Sequence, residues 1–392
     1  MKACRRCWVI LFFAFFCLFF LPSDCIKCNA ESTDYHDKLQ ENVLQQLDQL
    51  DLEALEKYLE SIEGAGGKSL KERLMEYVNG GGLGYDSFLN EIVDVVFAGV
   101  KRLLPSFASI AAVALLCGIL NSLQSHYLGQ STAKVVFFIA YLGTLIPILG
   151  ILTEVIATTK TSVSSMQQQM QIVFPIMLTL IAASGGSVSA AIFRPSVAFL
   201  CNTLVGLIDK IVLPITVAII VFSMASKLFG ELKTEKFSVF FKSINKWIIG
   251  IGVSVFGVFF TLQGLTAASY DGIVKRAAKY AIGTGVPIVG GFLSGGFDLA
   301  IAGSVLIKNA LGNFSLFLLV GVLFEPLSVL IATNLLLRLT AAVSQPFGDS
   351  KVATFLEETA DNLHFCTASL LFTAFLYFVA ILLLVCSSGM FI

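Results

Sequence analysis

Residues 175–187 read PIMLTLIAASGGS, and residues 287–297 read PIVGGFLSGGF. Each stretch opens on a proline and reaches a Ser-Gly-Gly triplet within an apolar segment. Matching residues of the two regions lie 110 to 114 positions apart: Leu152-Thr153 and Leu265-Thr266, Pro175 and Pro287, Ser184-Gly185-Gly186 and Ser294-Gly295-Gly296, Arg194 and Lys308, and Pro214 and Pro326. Because transporters and channels are commonly built from repeated helical units, the matches predict a duplication over 134–227 and 247–339. Chance matching between two apolar compositions is the alternative.

The composition of the 392-residue chain is that of a membrane protein. Hydrophobic residues make up 56% and charged residues 14%, and the mean hydropathy is +0.84. A water-soluble domain carries about 25% charged residues. We therefore expect an all-α polytopic membrane protein with six to eight transmembrane helices, preceded by a small helical domain outside the cytoplasm.

The number of spans depends on two stretches, 171–193 and 286–307, which contain the proline and the Gly-Gly pair of each repeat. We count the lysines and arginines that follow residue 123. If both stretches cross the membrane, eight spans result, with seven of these basic residues on each side. If both are re-entrant, six spans result, with eight basic residues inside and six outside. The positive-inside rule favours the re-entrant topology by this small margin, and both topologies stay open. The other apolar stretches are about 103–123, 134–157, 195–225, 247–269, 313–337 and 364–387, the last being the final span.

The first thirty residues have the pattern of a secretory signal peptide. Three basic residues precede the apolar run from Trp8 to Leu21, Pro22 follows, and Cys28-Asn29-Ala30 supplies small residues for a cleavage site. We expect cleavage after Ala30, so that residue 31 onward begins outside the cytoplasm. An uncleaved anchor is the alternative, although fourteen apolar residues are fewer than the ~20 that a span needs.

Residues 31–100 form a predicted acidic, helical, extracytoplasmic domain, and 101–392 form the transmembrane domain. Residues 31–94 hold 15 of the 27 acidic residues against five basic ones. This charge argues against nucleic-acid binding. Apolar residues recur there every three or four positions, as in amphipathic helices, with Asp51 as the expected N-cap of the second helix and Glu53 and Lys57 as an i,i+4 pair.

The candidate functional residues are the ionisable groups in apolar surroundings and the two triplets. Charges at membrane depth are costly, so they usually pair or face a water-lined path. We therefore consider that these residues line a pore or the interface between the repeats. The alternative is that they only position helix ends or pack between helices. Because Asp209 and Lys210 point about 100° apart on a helix, they do not simply neutralise each other. We expect Asp209 or Glu325 to pair with Arg194 or Lys308 across the repeats. The candidates are Ser184, Gly185, Gly186, Arg194, Asp209, Lys210, Ser294, Gly295, Gly296, Asp298, Lys308 and Glu325.

The sequence offers little enzyme chemistry. It contains no His-Glu metal motif, phosphate-binding loop or Gly-x-Ser-x-Gly elbow, and five of its nine cysteines lie in the predicted signal peptide. We expect no catalytic residue, metal or cofactor, and any ATPase would be a separate subunit. The lysine-rich linker 227–246, which carries interleaved phenylalanines, is typical of an interfacial helix and would suit anionic lipid.

Two blocks carry a family resemblance: Phe174-Pro175-Ile176 through Ser184-Gly185-Gly186-Ser187, and Val286-Pro287-Ile288-Val289-Gly290-Gly291 through Asp298 to Lys308-Asn309-Ala310-Leu311-Gly312. Together with the signal and the acidic helical region, they resemble the stage III sporulation protein AE family. The resemblance implies a multi-pass protein of the mother-cell membrane around the forespore. It also implies a non-enzymatic place in the channel or secretion-like complex required for sporulation after engulfment, beside other membrane subunits. A self-sufficient secondary transporter, with a solute or ion site between the repeats, is the alternative.

Overall fold

The computed structural model contains helices and turns throughout the residues that it describes. These are 33–61, 69–78, 130–228, 236–259, 290–345 and 350–387, with five short helical pieces between 93 and 115. The chain divides into two compact units, Met1–Gln40 and Glu41–Ile392. In the first unit only the beginning of the first helix is described, and all contacts below belong to the second.

Eleven α-helices follow one another in the ranges described. They are α1 Thr33–Gln49, α2 Glu53–Glu60, α3 Leu70–Val78, α4 Gln130–Ala183, α5 Ser187–Phe199, α6 Val205–Leu207, α7 Leu213–Leu228, α8 Lys236–Phe259, α9 Gly290–Ser344, α10 Ser350–Asn362 and α11 His364–Cys386. Two π-helical segments, Leu200–Leu204 and Ile208–Val212, join α5, α6 and α7 into a continuous helical rod. We call residues 187–228 the rod.

Helices α4 and α9 are far longer than a single membrane span. They contain 54 and 55 residues, and at 1.5 Å per residue each is about 80 Å long. We expected 134–157 and 171–193 to be separate stretches, and likewise 286–307 and 313–337. This expectation was wrong, because neither junction contains a proline and the helix continues through its polar residues.

The same continuity corrects the re-entrant interpretation of the second block. From residue 290 onward that block is helical without a turn as far as Ser344, so its described residues contain no re-entrant reversal. In the first block, residues 171–183 complete the helix that already holds 134–157 and the chain turns at Ser184, so the re-entrant interpretation of 171–193 stays open. Hydropathy divides each long helix into two apolar stretches, although its backbone hydrogen bonds are continuous.

Five helices of the described residues are long and apolar enough to cross a membrane. They are Leu145–Ala183, Asn202–Ser226, Lys236–Phe259, Asp298–Ser344 and Val352–Cys386. The all-helical, multi-pass class predicted from composition is thus confirmed. The predicted first span, 103–123, falls largely outside the described residues, so the choice between six and eight spans stays open.

The polar N-terminal helices pack against the long apolar ones. Leu47, Leu55 and Leu74, one from each of α1, α2 and α3, are at most 1% exposed and belong to the same apolar core as α4 and α9. Helix α2 begins at Glu53 with Leu52 as its N-cap residue, so the expected Asp51 cap was wrong, whereas the Glu53–Lys57 ion pair forms at 2.5 Å. The extracytoplasmic location of this region stays a prediction.

Side-chain hydrogen bonds fix where the N-terminal helices dock. The Gln46 amide donates to the Ala300 carbonyl at 2.9 Å and accepts from the Ser304 hydroxyl at 2.9 Å. On α2, the Tyr58 hydroxyl accepts from the Gln169 amide at 2.9 Å. Burial raises the pKa of the Tyr58 hydroxyl above its ordinary value of 10.0, while the bond from Gln169 acts in the opposite direction. The first contact lies on α9 and the second on α4, so the N-terminal helices bridge the two long helices.

Candidate functional site: the hairpin at Ser184–Gly186

The first Ser-Gly-Gly triplet ends α4 in a left-handed turn. The Gly186 N–H donates to the Ile181 carbonyl at 2.8 Å, and the Gly185 N–H donates to the Ala182 carbonyl at 3.1 Å. These two bonds define the Schellman motif, which places the residue just past a helix end at positive φ. Gly185 has φ 83°, where an L side chain would be strained. The glycine is therefore required by the turn itself.

The chain reverses at this turn, and the rod runs antiparallel to α4. The Gln171 amide donates to the Asn202 side-chain carbonyl at 3.2 Å. Farther from the turn, the Lys160 ammonium lies 3.9 Å from the Asp209 carboxylate. These contacts pair residues at nearly equal distances before and after Gly185, so α4 and the rod form a long helical hairpin.

An open cleft of about 630 Å³ lies beside the turn, between α4 and the rod. Most of its lining is apolar or small, including Met170, Pro175, Leu178 and Ala190. Among the described residues that line it, Arg194 carries the only charge. The cleft thus combines a membrane-type surface with one cation that can receive an anionic group.

The second triplet behaves differently from the first. Ser294, Gly295 and Gly296 lie inside α9, which continues without a turn. The matched basic residues also differ, since Arg194 is exposed whereas Lys308 is completely buried. Equivalent positions therefore do not share one backbone or one environment, and the internal repeat stays a prediction. Pro287 and Leu265-Thr266 lie outside the described residues, as does the predicted cleavage site at Ala30.

Asp209 and Lys210 lie in the second π-helical segment of the rod. Asp209 is partly buried, with its side chain 24% exposed, and its cationic neighbour is Lys160 of α4. The expected partners, Arg194 and Lys308, were therefore the wrong ones for this acid. Lys210 is exposed. No local sequence pattern pointed to Lys160 as the partner, because that lysine lies in a polar stretch that we did not assign to a span.

Lys308 binds the end of the last helix. Its ammonium donates to the Val385 carbonyl at 2.7 Å, and Val385 is one residue from the C-terminus of α11. A carbonyl in a last helical turn has no partner within its own helix, and a cation there also interacts favourably with the helix dipole. The structure therefore gives Lys308 a helix-capping role between α9 and α11.

Asp298 and Glu325 are exposed residues of α9. Ten residues separate Asp298 from Lys308, which corresponds to about 15 Å along a helix and exceeds the reach of a direct side-chain pair. The candidate residues are thus distributed over several surfaces of the molecule. Ser184, Gly185, Gly186 and Arg194 lie near the turn of the hairpin, whereas Asp209 and Lys210 lie farther along the rod.

Sequence reasoning missed a buried polar seam on the other side of the rod. Asn245 donates to the Thr216 hydroxyl at 3.0 Å, Ser223 and Ser238 lie 3.0 Å apart, and Asn362 donates to Ser223 at 3.2 Å. Asp209, Thr216 and Ser223 recur every seven residues, and that spacing was the available signal. Within the described residues, no group of three or more His, Cys, Asp or Glu side chains could hold a metal ion.

Comparison with known proteins gives one consistent family. The family model described as stage III sporulation protein AE matches residues 69–388. Stage III sporulation protein AE of Bacillus subtilis (strain 168) is 26% identical over 324 residues, which cover 82% of this chain and 81% of that protein. No solved structure is significantly similar to the chain. Because the family model spans well over half of the sequence, the chain belongs to the stage III sporulation protein AE family.

Proposed function

We propose that this protein is a non-enzymatic membrane subunit of a channel or secretion-like complex between the mother cell and the forespore, required after engulfment. Membership of the family implies a role in sporulation and a place in the corresponding stage III sporulation complex. The observation that carries the proposal is the family match over residues 69–388, which includes the hairpin and every candidate span. The membrane that holds it would be the mother-cell membrane around the forespore.

The docking of the N-terminal helices supports a fixed subunit rather than a self-sufficient transporter. Alternating access requires one repeat to rock against the other. Here Tyr58 bonds to α4, in the first predicted repeat, while Gln46 bonds to α9, in the second. Both contacts come from one short stretch of chain, so the N-terminal helices restrain the relative motion that a transporter would need.

The outer faces of these helices suit a water-filled space and further partners. Lys71 and Asp48 form an exposed ion pair at 2.6 Å, and Lys57 pairs with Glu53. The hydrogen bond that Lys71 donates to the Asp48 carboxylate raises the pKa of the exposed Lys71 ammonium above its ordinary value of 10.5. We place residues 31–100 outside the cytoplasm, facing the space between the two membranes, with any ATPase acting from a separate subunit.

The cleft at the hairpin is the surface that we assign to another membrane subunit. Arg194 makes no ion pair with a described residue, and an arginine among apolar groups is costly unless an anion accompanies it. A partner helix that carries an acidic residue would fill the apolar lining and neutralise Arg194. The first part of α8, whose exposed face includes Lys236, Phe237 and Phe240, would lie on anionic lipid instead.

Affinity purification tests the proposal directly. The tagged chain would replace the native copy in a sporulating strain, and the membrane complex would be solubilised after engulfment and its other chains identified. We expect other sporulation membrane subunits and an ATPase to co-purify, and a clean deletion to abolish spore formation without slowing vegetative growth. Normal spore yield in the deletion strain, or solute transport by the chain purified alone, would overturn the proposal.

The cleft assignment has a matched pair of variants. Ala191→Phe places a ring in the cleft, whereas Ala342→Phe places one on an exposed position of α9 away from it. We expect the single variants Ala191→Phe and Arg194→Gln each to lose co-purifying subunits while the membrane level of the protein stays normal. Ala342→Phe should retain them. Equal recovery of the partners from Ala191→Phe and Ala342→Phe would remove the cleft from the interface.

A further inference from the structure

The rod carries a row of polar side chains along the face that meets α8. Thr216 and Ser223 are seven residues apart and share this face. Asp209 lies seven residues before Thr216, in the π-helical segment beside Lys160 of α4, so the three residues extend over about 21 Å. Helix α8 places Asn245 opposite Thr216 and Ser238 opposite Ser223. Ser238 and Asn245 are also seven residues apart. Two antiparallel helices in the candidate spans thus share a line of polar contacts, beside the stacked rings of Phe222 on the rod and Phe237 and Phe241 on α8.

Within the part of the chain that the structure describes, three buried oxygen atoms along this seam have no hydrogen-bond donor. They are Oδ1 of Asp209, Oδ1 of Asn245 and Oδ1 of Asn362. The two asparagines are at most 1% exposed, and each already uses its amide N–H groups on the rod. Buried acceptors are nearly always satisfied in proteins, so atoms of this kind require a donor or a cation beside them. All three orphaned atoms are acceptors, and one belongs to a carboxylate.

The backbone next to Asp209 is also altered. Residues Ile208–Val212 form a π-helical segment, and Pro214, two residues beyond it, lacks the N–H that a helix would use. The Val212 carbonyl accepts from the Thr216 hydroxyl at 2.8 Å and from the Asn245 amide at 3.3 Å. π-Helical turns occur frequently at functional sites because they expose backbone oxygen atoms.

Charged surface groups lie at both ends of the seam. At one end, Asp209 is 3.9 Å from Lys160, which is beyond hydrogen-bonding distance and leaves room for an intervening water. At the other end, Asn362 follows Asp361, which pairs with Arg338 at 2.6 Å and lies 3.9 Å from His364. Charged, solvent-exposed side chains thus lie near each end of the polar row.

We propose that the seam between the rod and α8 is a hydrated path that admits water and small cations and disfavours anions. Water supplies the donors that the orphaned oxygen atoms require, and oxygen ligands suit hard cations. The Asp209 carboxylate gives the path its preference for positive charge. This inference rests on the geometry of the seam and does not depend on the proposed function.

Cysteine accessibility tests the path in the full-length protein in membrane vesicles. After replacement of the native cysteines, Thr216→Cys and Ser223→Cys are close in size to the native residues, and Ile219→Cys on the same rod is an equally buried control. Small methanethiosulfonate reagents react with exposed thiolates to form mixed disulfides, so the rate reports access from water. One reagent carries a quaternary ammonium group and the other a sulfonate.

We expect the cationic reagent to modify positions 216 and 223 on the order of tenfold faster than position 219, because thiol reactivity follows access and local charge. The anionic reagent should react slowly at all three positions, and adding Asp209→Asn should reduce the difference between the two reagents. Equal rates at positions 216, 223 and 219 would overturn the hydrated path. Faster modification by the anionic reagent would overturn its preference for cations.

Discussion

Gly312 lets α9 and α11 approach closely, and its replacement is the most direct test of the packing. A Cβ on Gly312 would overlap the Val385 Cγ2 atom and would contact Met177 and Ile381. Gly321, nine residues along the same helix, is a matched control because a Cβ there meets nothing within 4 Å. Both positions are helical, so alanine should improve the backbone propensity equally at each.

The expected magnitudes follow from two opposing terms. Alanine is better than glycine in a helix interior by about 0.8–1.0 kcal/mol, whereas inserting a methyl group into a packed contact costs about 1–3 kcal/mol. Gly321→Ala should therefore stabilise the protein by about 1 kcal/mol. Gly312→Ala should be neutral or destabilising by up to about 2 kcal/mol, once the overlap is set against the propensity gain.

The assay is the apparent melting temperature of each purified variant in one detergent at one heating rate. We expect the order Gly321→Ala, wild type, Gly312→Ala, from highest to lowest. Val385→Ala removes the overlapping methyl group, so it should make Gly312→Ala less harmful than the two separate effects predict, by a coupling of about 0.5–3 kcal/mol. Gly312→Ala melting as high as Gly321→Ala, or strict additivity with Val385→Ala, would refute the close contact between α9 and α11.

Three further predictions concern named residues. Lys308→Met removes the hydrogen-bond donor from the end of α11, which should cost about 1.5–3 kcal/mol of folding stability and lower the membrane level of the protein. Asp298→Asn, at an exposed position, should leave that level unchanged. Normal levels of Lys308→Met on an immunoblot would argue against the capping role. Tyr58→Phe leaves the buried Gln169 amide without its acceptor, which should cost about 1–3 kcal/mol in thermal stability, and Gln169→Leu in the same background should recover part of it. A reporter enzyme fused after Tyr77 should be active only on the extracytoplasmic side, and cytoplasmic activity would contradict the proposed topology.

The local helices could be read well from the sequence where periodicity and flanking breakers agree. The expected final span at 364–387 corresponds to α11, His364–Cys386, and the amphipathic spacing in 31–78 corresponds to α1, α2 and α3. The backbone hydrogen bonds of these helices lie within each helix, and the spacing of apolar residues in the sequence indicates which residues are buried. Their existence therefore depends little on the rest of the chain.

The extent of α4 and α9 could not be read from hydropathy. A helix ends where its backbone hydrogen bonds stop, and the polar residues 158–170 contain neither glycine nor proline. Hydropathy falls there although the helix continues, because threonine, serine and glutamine remain compatible with helical backbone. Hydropathy thus located the apolar stretches correctly, but it did not show that two of them belong to one continuous helix.

The candidate site was only partly visible for a similar reason. The first triplet is a turn because Gly185 completes a Schellman motif, whereas Ser294-Gly295-Gly296 lies in continuous helix. Identical residues adopt different backbone conformations when the residues around them differ. Likewise, the partners of Asp209 and Lys308 come from elements distant in sequence, Lys160 and the end of α11, and no local pattern specifies such pairs.

The length of α4 also restricts how the protein can sit in a bilayer. Its apolar portion, Leu145–Ala183, has 39 residues and is about 58 Å long, against a hydrocarbon thickness of about 30 Å. Tilt alone would have to reach about 60° to hide that length, beyond the usual range of about 0–40°. Part of α4 must therefore stand clear of the lipid tails, and the Tyr58–Gln169 contact identifies a level at which protein covers its apolar surface. Membrane thickness would then decide how much of the hairpin is exposed to water, so a thinner bilayer would lengthen the emerging part.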